Sequence, residues 1–72
     1  MTPEESLANA IVLQAVTDYR KALKALSLNG KNRDAKITKD ECERFFRSSW
    51  YGMLTSVDGE LLISKLQAEV AA

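Results

Sequence analysis

One helix-forming run takes up more than a third of this 72-residue chain, and it leaves few ways for the rest to fold. It opens at Thr2-Pro3-Glu4-Glu5. Thr2 can accept from an orphan amide, Pro3 suits a first helical position, and Glu5 completes a capping box. Ala8, Val12, Ala15, Val16, Tyr19, Leu23 and Leu26 then share one face at helical spacing, with Ala22 beside them and Thr17, Lys21 and Lys24 opposite. Asn29-Gly30 closes the run, glycine being suited to the left-handed conformation of many helix ends. The spacing therefore predicts a helix over residues 3–28, about 39 Å long at 1.5 Å per residue. Only about 40 residues remain to cover its apolar stripe, enough for two shorter helices.

Two starts are open for the second helix. Asn32 can cap a helix from Arg33, placing Ala35, Thr38, Cys42, Phe45 and Ser49 on one face. Thr38 can instead cap a later one, with Glu41 as the box partner. The earlier start is preferred, with the helix continuing or bending through Trp50 and Tyr51. Thr55-Ser56-Val57-Asp58-Gly59 reads as a turn, and Asp58 or Thr55 caps a third helix striped by Leu62, Ile63, Leu66 and Val70. No stretch alternates with period two for long enough to make a strand. The expectation is all-α: one domain over residues 1–72, a small antiparallel three-helix bundle with helices near 3–28, 33–51 and 59–70.

Composition supports a folded chain, with 46% apolar and 28% charged residues. A domain of this size buries only about 60% of its unfolded surface, so self-association as a homodimer is one route to added stability. Cys42 is the sole cysteine and cannot form an intrachain disulfide, which favours a reducing compartment. No apolar stretch is long enough for a membrane span, and the first five residues are acidic where a secretion signal is basic. The expected location is cytoplasmic.

The chain has no histidine, which removes the usual triads, imidazole ligands and neutral-pH proton shuttles. A lone cysteine cannot build a zinc site, and Gly30, Gly52 and Gly59 are too isolated to form a phosphate loop. Residues 30–41 can be laid on a calcium-loop pattern through Asn32, Asp34, Ile37 and Glu41. Gly30 and Ala35 then replace a ligand and the central glycine, while Lys31, Arg33 and Lys36 oppose a cation. A second such segment around Asp58-Gly59 carries Lys65 where a bidentate glutamate belongs. No cofactor, metal or catalytic role is expected.

Two features point to a macromolecular partner. Residues 20–39 hold seven basic side chains against Asp34 alone, a net charge of +6 balanced by acidic flanks. Arg20, Lys24, Lys31, Arg33 and Lys36 are the candidates for contacting nucleic acid. No aromatic is interleaved to stack bases, and cations near a helix C-terminus also complement its dipole. The second feature is the aromatic group Phe45, Phe46, Trp50 and Tyr51, flanked by Arg44 and Arg47. Such residues fill small cores, and they also dominate interface hot spots. Arg44, Phe46, Arg47, Trp50 and Tyr51 are the candidates for protein contact. Cys42 reads as a small buried hydrophobe.

Three blocks carry a resemblance: Ala10-Ile11-Val12-Leu13-Gln14-Ala15-Val16 leading into Asp18-Tyr19-Arg20; Glu41-Cys42-Glu43-Arg44-Phe45-Phe46-Arg47-Ser48 with Trp50-Tyr51; and Leu54-Thr55-Ser56-Val57-Asp58-Gly59-Glu60-Leu61-Leu62-Ile63. Over most of its length the chain resembles a group of short proteins of prophages and other mobile elements of Firmicutes-type bacteria; residues 29–40 lack a matching pattern. The resemblance carries no activity and no residue role. It implies a mobile-element setting, in which small proteins often occupy a surface on a host protein, including defence components. The reading is a phage-type protein–protein interaction module acting as a stoichiometric inhibitor, with a nucleic-acid accessory role as the alternative.

Overall fold

The computed structural model describes residues 2–71, and among them it has four helices and no strand: α1 (Pro3–Leu28), α2 (Arg33–Phe46), α3 (Ser49–Leu54) and α4 (Gly59–Ala71). The all-helical class is as expected; the division into three helices is not. At the start of α1 the capping box closes in both directions. The Thr2 hydroxyl accepts from the Glu5 amide at 3.2 Å, and the Thr2 amide donates to the Glu5 carboxylate at 3.4 Å.

The other end of α1 closes by a different device from the one its glycine suggests. No described residue has positive φ, so Gly30 is not a left-handed cap. Asn29 takes an extended conformation, φ −148° and ψ 99°, with its amide donating to the Ala25 carbonyl. Its side-chain oxygen accepts from the Lys31 amide at 3.0 Å, an Asx-type turn that reverses the chain. Asn32 then caps α2, accepting from the Ala35 amide at 3.1 Å, which selects the earlier of the two starts.

α2 ends at Phe46, five residues before the expected end of the second helix. The reason lies in the core. On a straight helix Phe46 and Tyr51 would point about 140° apart, so only one could face inward. Breaking the helix at Arg47 and Ser48 lets both in, at 2% and 3% exposure. Ser48 makes the break: its hydroxyl donates to the Phe45 carbonyl at 2.6 Å and accepts from the Tyr51 amide at 3.2 Å, capping α3. Asp58, rather than Thr55, caps α4, accepting from the amides of Glu60 and Leu61 at 2.8 and 3.2 Å.

Gly59 is required at the start of α4 for space. A methyl group on its Cα would collide with the Phe46 carbonyl, so only glycine lets α4 begin directly against the end of α2. From there α4 runs back along α1, bringing Glu69 to Arg20 and Gln67 to Tyr19. The longest dimension, 41 Å, is set by α1, and the other two are 21 and 20 Å. The core gathers Val16, Tyr19, Leu23, Cys42, Phe46, Tyr51, Ile63 and Leu66, with Val12, Ala15, Phe45, Leu62 and Val70 packed around it. No helix among the described residues is long and apolar enough to cross a membrane.

Candidate interaction surface

α1 separates two unlike flanks. Arg20 and Asp18 project from it about 160° apart at 100° per residue. On the Arg20 side α4 closes the structure. The Arg20 guanidinium meets both oxygens of the Glu69 carboxylate, at 2.9 and 3.1 Å. Tyr19, fully buried, donates to Glu43 at 2.6 Å and accepts from Gln67 at 3.1 Å. Glu43 also receives Lys39 at 2.8 Å and Arg47 at 3.6 Å, and Arg47 continues to Glu60. Burial alone would push the Glu43 carboxyl up. Hydrogen bonds from Lys39 and Tyr19, with the charges of Lys39 and Arg47, outweigh it and hold the group below its usual range. Burial, then the Glu43 hydrogen bond, push the Tyr19 phenol far above its ordinary value.

On the Asp18 side the α1–α2 pair is open. Near α3 lies an apolar hollow of about 460 Å³ lined by Ala10, Ile11, Ala15, Cys42, Phe45 and Trp50, with Gln14, Asp18 and Glu41 at its rim. A second hollow, about 560 Å³, continues along the same helix pair towards Asn32 and shares Asp18 and Glu41 with the first. It adds Lys21, Asp34 and Thr38 over a floor of Ala22, Ala25 and Ala35. The small side chains explain the groove: alanines at these positions let the helices meet but leave nothing standing above the seam.

Phe45 anchors the apolar end. Its ring packs against Phe46, Trp50 and Tyr51 with centroids 5.5–5.7 Å apart, the latter two edge-on. Trp50 therefore has a fixed inner edge on Phe45, while 54% of its surface remains exposed. Cys42 lies in the floor. Burial, and then the negative charge of Asp18, Glu41 and Glu43, push its thiol above the ordinary range, so it is a poor nucleophile.

The five protein-contact candidates divide sharply. Phe46 and Tyr51 are core residues and cannot present a contact surface, because the core needs their volume. Arg47 faces the closed flank in ion pairs with Glu43 and Glu60. Trp50 and Arg44 remain, with Arg44 beside Trp50 and Phe45 at the end of the groove. The basic candidates do not converge on the groove. Arg20 is engaged by Glu69 across the closed flank. Lys24 and Lys31 are exposed on and beyond the end of α1, while Arg33 and Lys36 face away from the buried stripe of α2. Residues 30–41 are helical from Arg33 onward and do not form a calcium-type loop. Among the described residues no group of three or more acidic or cysteine side chains is placed to hold a metal ion.

The groove is not marked by the main hydrophobic spacing of α1. Ala10, Ile11, Gln14 and Asp18 form a second stripe on α1 at spacings of one, three and four, beside the main one and adjoining its Ala15. Ile11 was the available signal, a large apolar residue off the core-facing line. No family model, curated protein or solved structure matches the chain.

Proposed function

We propose that this protein is a protein-interaction module whose contact surface is the open α1–α2 groove, with Trp50 as its anchor. The observation that carries the reading is the hollow of about 460 Å³ with an apolar floor, walled by a tryptophan fixed on one edge and free on the other. Tryptophan in that position is the usual composition of a binding hot spot. Arg44 stands at the same end and extends the surface. Occupying a host protein's surface one-to-one, as an inhibitor from a mobile element would, fits a chain of this size whose distinctive feature is a groove. That setting rests on the sequence resemblance.

Affinity capture from bacterial lysate, with nuclease and at two salt concentrations, tests the reading when run beside Trp50→Ala and Arg47→Ala. A discrete protein retained by the wild type and by Arg47→Ala but lost with Trp50→Ala is the expected result. Trp50 is half-exposed, so the variant should keep its helical circular-dichroism spectrum. Recovery of nucleic acid alone, released by salt, would overturn the proposal in favour of the basic segment.

A further inference from the structure

The charges around the groove differ from those on the closed flank. On the closed flank Glu43, Glu60 and Glu69 are each held by lysine or arginine. Along the groove stand Asp18, Glu41 and Asp34, and among the described residues no cation is paired with any of them. Asp18 accepts only the side-chain amide of Gln14, at 3.0 Å. Two cations are near: Lys21 in the lining, and Arg44, which shares a hollow with Glu41 at the Trp50 end. The groove therefore presents three carboxylates against one lysine and, at its Trp50 end, one arginine, above a floor of alanine, isoleucine, cysteine and phenylalanine.

Geometry limits what fits. From Ala10 to Ala25 the groove follows α1 for about 22 Å, the length of a helix of roughly 15 residues. It lies on the flank of the α1–α2 pair away from α4, so a helix laid there would pack on α1 and α2 opposite α4. Resting on the interaction reading above, we infer that the partner supplies an amphipathic helix of about four turns. Its apolar stripe enters the Trp50 hollow, and lysine or arginine flanking that stripe meets Asp18, Glu41 and Asp34. The floor of small residues suits close helix approach, and the unpaired carboxylates select the sign of the partner's flanks.

Selection from a displayed library of 16-residue helical peptides tests this, with a fixed apolar stripe and flanking positions randomised among Lys, Arg, Glu, Gln and Ser. The targets are the wild type and the double variant Asp18→Lys/Glu41→Lys, checked for unchanged helical content. Wild type should enrich lysine and arginine at the flanks, and the double variant should shift the enrichment to glutamate. The best cationic peptide should quench or shift Trp50 fluorescence and lose roughly tenfold or more in affinity against the double variant. Enriched peptides without excess cations, peptides indifferent to the double variant, or no enrichment would each overturn the inference. So would a micromolar self-associated form, seen by sedimentation and dispersed by Trp50→Ala, since a second copy would then own the groove. Lysate capture lost with Trp50→Ala but unaffected by Asp18→Lys/Glu41→Lys would retain the interaction reading and reject only the basic helix.

Discussion

The two flanks of α1 use the same kinds of residue to opposite ends. Towards α4, a tyrosine, two arginines, a lysine and three glutamates interlock, and Arg47 alone joins Glu43 on α2 to Glu60 on α4. Towards the groove, three carboxylates stand without cationic partners among the described residues, beside a half-exposed tryptophan. A polar side chain strengthens a fold when its partners lie within the chain; left unmatched on a concave surface, it is available for recognition. The closed flank should therefore respond to mutation through stability and the open flank through binding.

The largest expected effect is at Gly59. Substitution by alanine forces a methyl group onto the Phe46 carbonyl, and backbone on both sides must move. Overpacking commonly costs about 1–3 kcal/mol, and the upper end is expected where the obstructing atom is main chain. Against a total of roughly 4–11 kcal/mol for a chain this size, that is a substantial fraction. Chemical denaturation of Gly59→Ala should show a much lower midpoint, and an unchanged midpoint would mean that α4 does not dock against the end of α2 as described.

The two buried tyrosines sharpen the contrast at smaller magnitude. Tyr19→Phe removes a hydrogen bond to a carboxylate and leaves Gln67 without its acceptor, a loss of about 1.5–3 kcal/mol for a bond to a charged group. The Tyr51 hydroxyl, also buried, has no hydrogen-bond partner among the described residues, and burial followed by the charge of Asp58 pushes its phenol above the ordinary value. Tyr51→Phe therefore removes an unsatisfied group and should leave stability unchanged or slightly raised. Equal losses in thermal melts of the two variants would show that ring packing, not the Glu43 network, decides both sites.

The same network sets an acid limit. Because Glu43 is held below its ordinary carboxylate range when folded, its contribution is complete above about pH 4.5 and fades as pH falls through the lower folded value. Glu69, lowered by its hydrogen bond to Arg20, acts in the same direction from an exposed position. Glu43→Gln should lower stability at neutral pH and flatten the decline as pH falls below about 4.5. A parallel, undiminished decline in denaturation midpoints across that range would locate the acid sensitivity elsewhere.

Legibility in the sequence followed how local the determining contact was. The α1 capping box, the Asn32 cap and the Asp58 alternative for α4 depend on atoms two or three residues apart, and those signals were readable. The break at Ser48 was not, because it answers a tertiary demand: Phe46 and Tyr51 both had to reach a core built by α1 and α4. Gly59 looked like an ordinary turn glycine, since the atom that excludes a side chain belongs to Phe46, thirteen residues away. The aromatic group was visible as a group, but its division into buried Phe46 and Tyr51 and half-exposed Trp50 depends on that break. The groove was hidden for a related reason: its floor is mostly alanine, which reads as weak core until two helices are laid side by side.

Gly52 offers a small effect and the finest separation of the two flanks. It sits inside the short α3, its backbone is not left-handed, and a Cβ there would meet no heavy atom within 4 Å. Alanine at such a position typically adds about 0.4–1 kcal/mol, chiefly by narrowing the unfolded ensemble. The gain should appear as a slightly raised melting temperature. Gly52 does not line the groove hollows, but α3 carries Trp50, so a stiffer α3 should leave capture of a partner intact or tighten it. If Gly52→Ala raises stability yet weakens capture, Trp50 has to move as the partner binds, and the groove opens on binding rather than standing ready.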